Sequence, residues 1–292
     1  MPVLAWLPFL IVVFALAGRL EAAGLKVAPA RFIVHDVKPG QYHNLYKETG
    51  LRLAIFNEND TTGTWRLSTH RPSERGRWET GYAEIPDPRW CGFEQNETTA
   101  GPHSAAYAHL WIRIPADPKY YNQHWIVTLG IEGQPGLGGI ALAVDVRVQI
   151  ETKSSGDVKV RPAGLLGLNP STIRFDSLAP GERRTASVVL YNNDTTTHTY
   201  DTSSLFIAAD TDRKTYLIHG YEAIPDGRWI ARPDRLRVGP GGSAELPLVV
   251  QAPHGPGHGG KKWEEILLVR PDQGLAGFVR VQIGMSEQSN LK

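Results

Sequence analysis

The stretch GYAEIPDPRW at residues 81–90 recurs as GYEAIPDGRW at residues 220–229, which begins 139 positions further along a chain of 292 residues. Seven of the ten positions are identical, and two of the other three exchange Ala and Glu. Self-similarity at a long fixed distance marks a duplicated structural unit, because each copy keeps the turn and core residues that its fold needs. The two stretches therefore predict that the chain contains the same fold twice.

Further short matching segments, which we call anchors, occur in the same order in both halves, at offsets of 141, 135, 134, 138 and 133 residues. They pair Pro39-Gly40 with Pro180-Gly181, residues 55–57 with 190–192, residues 59–62 with 193–196, Trp125 with Trp263, and residues 146–150 with 279–283. The polar, turn-rich segment near Ser154 is typical of a joint between domains. We predict a first domain over residues 24–153, a linker over 154–161, a second domain over 162–286 and a polar tail over 287–292.

Strand periodicity agrees with this plan. Apolar and polar residues alternate over 142–150 and again over 244–251. A period of two places one face of a strand in a core and the other in water. No stretch after the N-terminus keeps apolar residues at helical spacing for three turns without Pro or Gly, and turn signals recur between short strands. This pattern predicts an all-β sandwich in each half.

Two segments carry a resemblance to a known group of domains. One runs from Asn169-Pro170 through Phe175 and Pro180-Gly181 to Asn193, and the other from Trp229-Ile230 to Pro253. They resemble the bacterial and archaeal immunoglobulin-like domains related to major sperm protein and to the N-terminal domain of periplasmic pilus chaperones. The resemblance implies two tandem immunoglobulin-like β-sandwich domains. The near-equal repeat differs from the two dissimilar domains of pilus chaperones, and the basic pair with which those proteins anchor a subunit carboxylate is not placed here.

The N-terminus indicates export. Residues 1–18 carry no charge and are mostly aliphatic, and Ala15-x-Ala17 and Ala22-Ala23 offer cleavage sites. Residues 1–23 are therefore interpreted as a signal peptide, with an uncleaved N-terminal anchor as the alternative, although no Lys or Arg precedes the apolar run. We expect a secreted or periplasmic, extracytoplasmic protein without a membrane span once the signal is removed.

Composition narrows the functional class. The formal net charge is +1, which argues against a nucleic-acid partner. The single cysteine, Cys91, allows no internal disulfide, and its alignment with Ile230 predicts a buried, inert thiol. Only His254 and His258 lie close together, which is too few ligands for a metal. No catalytic signature is present, so we expect a non-enzymatic protein without a cofactor.

Candidate binding residues follow from a difference between the two copies. At an offset of 138, core residues Ala106 to Ile112 align with Ala244 to Val250, so the intervening side chains must point outward. These are Tyr107, His109, Trp111 and Arg113, where the second copy has Glu245, Pro247, Val249 and Gln251. An outward Tyr/Trp pair suits stacking on a sugar or a protein, but could also be covered within the chain. Tyr120 and Tyr121 could extend it.

Other conspicuous residues are interpreted structurally. The tryptophans that recur in both halves, Trp90, Trp125, Trp229 and Trp263, are expected to supply core area. Arg89 and Arg228 are expected to stack or pair within their turns. Asn59, Asn96 and Asn193 each begin a sequon, and whether these carry glycans depends on the host. The two Asn-Asp-Thr-Thr copies, at Asn59 and Asn193, are also good turn sequences.

These observations lead to one leading hypothesis and two alternatives. The leading one is an exported, non-catalytic binding or scaffolding protein that presents β-sandwich surfaces to a protein or glycan of the cell envelope. The first alternative is a periplasmic assembly chaperone that acts by edge-strand donation. The second is a carbohydrate-binding accessory protein.

Overall fold

The computed structural model describes residues 13–15, 20–22, 24–133, 142–157, 159–205, 217–225, 227–254 and 257–287. In these ranges the chain is built almost entirely of β-strands, which confirms the predicted all-β class with tandem immunoglobulin-like sandwiches. The predicted signal peptide lies outside the described residues except for the backbone of two short strands, and the predicted tail lies outside them after Glu287. Both remain predictions.

Within the described ranges, the first half of the sequence forms fourteen strands and one α-helix. In chain order they are β1 Val13–Ala15, β2 Leu20–Ala22, β3 Leu25–Ala28, β4 Arg31–Val37, β5 Tyr42–Asn44, α1 Leu45–Thr49, β6 Leu53–Asn57, β7 Gly63–His70, β8 Ala83–Glu84, β9 Cys91–Phe93, β10 Glu97–Ala100, β11 Ala105–Ala108, β12 Leu110–Arg113, β13 His124–Gly133 and β14 Ala143–Thr152. Two 3-10 helices, Pro88–Trp90 and Pro118–Tyr120, lie between strands.

The described residues of the second half form ten strands. They are β15 Leu166–Asn169, β16 Thr172–Leu178, β17 Arg183–Asn192, β18 His198–Leu205, β19 Glu222–Ala223, β20 Ile230–Ala231, β21 Arg235–Val238, β22 Ser243–Gln251, β23 Lys262–Pro271 and β24 Gly277–Met285. A third 3-10 helix spans Gly227–Trp229.

The chain divides into two compact units. The first unit contains residues 1–76, 86–114 and 127–150, and the second contains 77–85, 115–126 and 151–292. The second unit thus includes short segments from the first half of the sequence. They belong to it because they contribute to its packing, as with Tyr82 and Ile126, which share a buried cluster with Ile266 and Phe278.

Each unit contains two main sheets. In the first unit the strand orders are β1-β4-β14-β13-β7-β10 and β11-β6-β3-β2, with a small sheet β5-β12-β9. In the second they are β16-β24-β23-β18-β21 and β15-β17-β22-β20. The core of the second unit is formed by the inward side chains of both its sheets, with Phe175, Leu190, Leu248 and Val281 among its buried members.

Strand registers reproduce the alignment of the two sequence copies. Cys91 lies opposite Ile112 in the first unit, and Ile230 lies opposite Val250 at the same place in the second. The thiol of Cys91 is buried, and burial raises its pKa to about 12, so the reactive thiolate is scarce at neutral pH.

The turn that follows residues 55–57 and the equivalent turn after residues 190–192 are each held by a buried asparagine side chain. The Asn57 Nδ2 atom donates to the carbonyls of Thr61 (2.7 Å), Ala100 (3.1 Å) and Gly101 (2.9 Å). The Asn192 Nδ2 atom donates to the carbonyls of Thr196 (2.7 Å), Val238 (3.0 Å) and Gly239 (3.0 Å) in the second unit. Each Oδ1 also accepts from the backbone two residues on, so the sequons at Asn59 and Asn193 begin within tight, specified turns.

One expectation from periodicity is wrong. The alternation over 142–150 predicts that Gln149 of β14 faces water, but its side chain is buried, and Arg280 and Gln282 at the matching polar positions of β24 are buried as well. In the second unit the buried groups form an ionic network. The Arg280 guanidinium donates from Nε and Nη2 to the two Glu151 carboxylate oxygens, both at 2.6 Å, and from Nη1 to Glu264 Oε2 at 3.0 Å.

Two uncharged side chains also donate hydrogen bonds to the carboxylates of this network. The Tyr82 hydroxyl donates to Glu151 Oε1 at 2.6 Å, and the Gln282 amide donates to Glu264 Oε1 at 2.8 Å. Burial, together with the Glu151 charge, raises the pKa of Tyr82 well above its usual value. Burial opposes the charge on Arg280, but the carboxylates of Glu151 and Glu264 outweigh it and raise the pKa of that guanidinium. The cluster is therefore a network of one guanidinium and two carboxylates, in which every carboxylate oxygen accepts a hydrogen bond.

The recurring tryptophans differ in burial. Trp125, Trp229 and Trp263 are buried in the second unit, where the Trp229 and Trp263 rings meet edge to face at 5.2 Å between centroids. Trp90, in the first unit, is half-buried at the end of its 3-10 helix. Beside it Arg89 pairs with Asp87 as predicted, with 2.8 Å between Nη2 and Oδ2, and hydrogen bonds from Arg89 lower the pKa of Asp87.

His198 in the second unit bridges two carboxylates, and this predicts a pH-dependent stability. Its Nδ1 lies 2.7 Å from Asp272 Oδ1 and its Nε2 lies 2.9 Å from Asp194 Oδ2. The hydrogen bond to Asp194, followed by that to Asp272, raises the pKa of His198. A raised pKa means that folding favours the protonated ring. The stabilisation is therefore complete below about pH 6.5, the pKa of histidine in the unfolded chain. It is lost as pH rises through the pKa of His198 in the folded protein.

Urea unfolding midpoints between acidic and alkaline pH measure this effect. The midpoint of the wild-type protein is expected to fall, relative to that of His198→Gln, as pH rises above about 6.5. The exposed His254→Gln serves as the matched control and is expected to follow the wild type. Parallel pH profiles for the wild type and His198→Gln would show that the bridge contributes nothing.

Candidate functional site

A six-residue insertion distinguishes the first unit from the second. In the second unit β17 and β22 pair without a break, from Arg183 opposite Gln251 to Tyr191 opposite Ser243. In the first unit the same ladder is split between β5 with β12 and β6 with β11. Eight residues, 45–52, join β5 to β6 at the place where two residues, 186–187, suffice in β17. The additional residues form α1.

Local chemistry determines where α1 begins and ends. Asn44 is its N-cap, because the Asn44 Oδ1 atom accepts from the backbone N–H of Lys47 at 2.9 Å. The Glu48 carboxylate returns to accept from the Asn44 backbone N–H at 3.0 Å. Gly50 ends the helix with φ of 76°, a left-handed conformation that glycine adopts without a steric penalty. The insertion is thus a specified element that places Tyr46 beside β12.

The predicted alternation holds along β11 and β12. Ala106, Ala108, Leu110 and Ile112 are buried, whereas Tyr107 and Arg113 are exposed and His109 and Trp111 are half-buried. At the equivalent positions of β22, Glu245, Pro247 and Gln251 are exposed and Val249 is half-buried. The aromatic character of this face therefore belongs to the first unit.

Two tyrosines that sequence analysis did not single out complete the site. The aromatic face consists of Tyr42, Tyr46, Tyr107, His109 and Trp111. The Tyr42 ring stacks on Trp111 with 6.0 Å between centroids and an interplanar angle of 25°. The Tyr46 ring, supplied by α1, stacks on His109 at 4.1 Å and 4°. Tyr42 is 53% exposed and Tyr107 is 46% exposed, so the face is open to a partner.

Trp111 is fixed by its backbone neighbours. The indole Nε1 donates to the carbonyl of Phe93 at 2.9 Å. The ring lies across Gly92, since a Cβ atom there would be 2.8 Å from the indole Cζ2 atom. Glycine is thus required for the close approach, and the position of Trp111 is set before any partner binds.

Charged groups surround the rings and satisfy one another. The Arg52 guanidinium lies 3.8 Å from the centroid of the Tyr107 ring, a cation–π contact. Glu94 lies between two members of the site, with its Oε2 atom 3.1 Å from His109 Nδ1 and its Oε1 atom accepting from the Asn44 amide. These contacts restrict the side chains of the aromatic face.

Tyr120 and Tyr121, the two remaining predicted binding residues, belong to the second unit. Tyr120 ends the 3-10 helix Pro118–Tyr120, and its ring meets Trp125 edge to face at 5.7 Å. Both tyrosines are half-buried. Their part in binding remains a prediction, and we define the site without them.

The described residues show no metal centre. Among them, no group of three or more His, Cys, Asp or Glu side chains is arranged to hold a metal ion. His258 instead packs against the rings of Trp229 and Trp263, at 5.4 Å and 5.7 Å between centroids. None of the helices in the described part of the chain is long and apolar enough to cross a membrane.

Comparison with known proteins yields structural neighbours, whereas no family model and no curated protein matches the chain. A protein of unknown function from Porphyromonas gingivalis is 13% identical with a TM-score of 0.35, over 90% of this chain and 100% of that one. The periplasmic chaperone SfaE is 11% identical with a TM-score of 0.30, over 90% and 100%. The E. coli chaperone DraB is 11% identical with a TM-score of 0.28, over 86% and 94%. At TM-scores this low, the assignment of the fold depends on the chain's own strand topology.

Proposed function

We propose that this protein is an exported, non-catalytic scaffolding protein of the cell envelope, and that the aromatic face of its first unit binds another protein. The observation that carries the proposal is the aromatic face itself, which the second copy of the same fold lacks. Export is supported by the uncharged, apolar N-terminal segment.

The composition of the site favours a protein partner. Tyr, Trp and Arg are enriched at the centres of protein–protein interfaces, and Lys and Asp are depleted. The aromatic face has three tyrosines and one tryptophan, with the exposed Arg52 and Arg113 at its border. Large exposed apolar side chains grouped in this way are unusual on a protein surface without a partner.

The arrangement of the rings suits a broad contact with a protein. Tyr42 and Trp111 stack on each other, His109 covers one side of Tyr46, and Arg52 covers one side of Tyr107. The group therefore presents a firm, continuous surface to a partner. Rings that are already packed also lose little conformational entropy on binding.

Strand donation has less support. The terminal strands of the described sheets have four residues or fewer, except β16 with seven, although the two-residue β20 covers only Val249 and Val250 of β22. In β16 the register shifts between Phe175 and Leu178, and Ser177 has a φ of 56°. Short and bulged edges are the features that natural sheets use to prevent pairing with other chains.

Site-specific photo-crosslinking in the native envelope tests the proposal. A benzophenone amino acid at position 107 is expected to yield a discrete adduct with one protein, because Tyr107 is exposed on the aromatic face. The same probe at Glu245, the equivalent position of the second copy, is the matched control and is expected to give none. Absence of an adduct from position 107, or the same adducts from both positions, would contradict the proposal.

Substitutions then measure the contribution of individual rings. With the crosslinked partner purified, Tyr42→Ala and Trp111→Ala are each expected to weaken binding about 30-fold, as central aromatic residues do. Gly92→Ala is expected to weaken it as well, since the added methyl group displaces the indole. Calorimetric titration gives the dissociation constants, and an unchanged value for Trp111→Ala would exclude the aromatic face as the interface.

A further inference from the structure

A groove in the second unit combines the exposed apolar side chains of Trp78 and Leu275 with the cationic side chain of Arg270. Its volume is about 420 Å³, and it is lined by residues of two turns, 78–81 and 274–276, and by Arg270. Trp78 is 46% exposed and Leu275 is 50% exposed. This volume is in the range of small-molecule sites, and such sites are mostly apolar with a few placed polar groups.

The floor of the groove is rigid. Gly81 has a φ of 86°, and a Cβ atom there would lie 2.5 Å from the Phe278 ring, so the turn lies directly on that ring. Phe278 is buried, stacks on His124 at 3.7 Å and 3°, and meets Tyr82 edge to face at 5.3 Å. The loop that carries Trp78 is therefore anchored on the aromatic core of the unit. A preformed surface of this kind can bind a small ligand without a large ordering cost.

Two charged side chains line the groove, the cationic Arg270 and the anionic Glu79. Asp201 is the residue opposite Arg270 in β18, but that carboxylate accepts from Arg235 Nε at 2.6 Å. Within the described ranges, Arg270 makes no ion pair with a protein carboxylate. A guanidinium at the edge of an apolar groove favours a ligand that carries a carboxylate, which it can bind through two parallel hydrogen bonds.

We propose that this groove binds an acidic saccharide, with a sugar ring on the face of Trp78 and its carboxylate on Arg270. In contrast to the rings of the aromatic face, Trp78 presents a single exposed indole beside small residues, Gly81, Gly274 and Ala276. The lining turns offer no strand edge to which an extended peptide backbone could add. The groove belongs to the second unit and is independent of the proposed protein interface.

Titration of the full-length protein with a series of galacturonate and glucuronate oligosaccharides tests this site. Tryptophan fluorescence and calorimetry are expected to show saturable binding at millimolar or lower concentration, tighter than that of the matched neutral galactose and glucose oligomers. Trp78→Ala is expected to abolish binding of both classes. Arg270→Gln is expected to weaken acidic oligosaccharides about tenfold and leave neutral ones unchanged.

Two control variants test whether the effects are specific to the groove. Arg235→Gln removes a nearby guanidinium that is already paired with Asp201, and it is expected to bind like the wild type. Tyr42→Ala tests the other unit and is also expected to leave saccharide binding unchanged. The proposal is wrong if no acidic oligosaccharide binds, if Trp78→Ala binds normally, or if the groove binds apolar peptides with a free C-terminal carboxylate and no saccharide.

Discussion

Replacing Arg280 with Met is expected to lower the free energy of unfolding of the second unit by about 3–5 kcal/mol. The substitution keeps an apolar stem of similar length but removes the guanidinium that compensates Glu151 and Glu264. Both carboxylates are almost completely buried, so each would be left without its partner in a medium that solvates charge poorly. Urea unfolding, followed by tryptophan fluorescence at neutral pH, measures the loss.

The duplicated sequence provides the matched control for this variant. Arg147 is the equivalent residue of the first copy, but it is only half-buried, and Arg147→Met is expected to cost about 1 kcal/mol or less. Neutralising the carboxylates in the Arg280→Met background, with Glu151→Gln and Glu264→Gln, is expected to recover part of the loss. Equal effects of Arg280→Met and Arg147→Met would show that the buried network is not what stabilises the second unit.

Replacing Asn192 with Ala is expected to destabilise the second unit by about 3 kcal/mol. The amide is completely buried, donates to three backbone carbonyls and accepts from the Asp194 N–H at 3.0 Å, so its loss leaves several buried polar groups unpaired. Asn57→Ala is expected to have a similar effect on the first unit.

Hydrogen exchange measured peptide by peptide assigns each loss to its unit. Asn192→Ala should accelerate exchange in β17 and β22, and Asn57→Ala in β6 and β11. The exposed Asn96→Ala is the surface control and is expected to change stability by no more than about 0.5 kcal/mol. If Asn192→Ala matched this control, the shared amide would have no structural role in the repeat.

Sequence periodicity predicted the sandwich and the orientation of one strand because both depend on local rules. Alternation between Ala106 and Ile112 placed Tyr107 and Trp111 outward, and the offset of 138 residues placed Cys91 and Ile230 at equivalent positions in the two units. The domain limits, the functional roles of the named residues and the closer resemblance to major sperm protein remain predictions.

Other features depend on tertiary contacts that periodicity does not contain. The change in offset from 141 to 135 residues signals the six-residue insertion, but the form of α1 depends on its caps and on the stack of Tyr46 with His109. Alternation assumes that one face of a sheet meets water. It therefore failed at Gln149, which is buried, and it did not indicate the groove beside Trp78, since two non-periodic turns form it.

The most direct test is to remove the insertion that distinguishes the two units. Residues 45–52 are replaced by Ala-Ser, the pair found at 186–187, which should restore an unbroken ladder between the strands. With the photo-crosslinking probe at position 107, we expect the shortened protein to keep its unfolding midpoint and to lose the partner adduct. A folded variant that still forms the same adduct would contradict the proposal that the aromatic face, completed by Tyr46, is the binding surface.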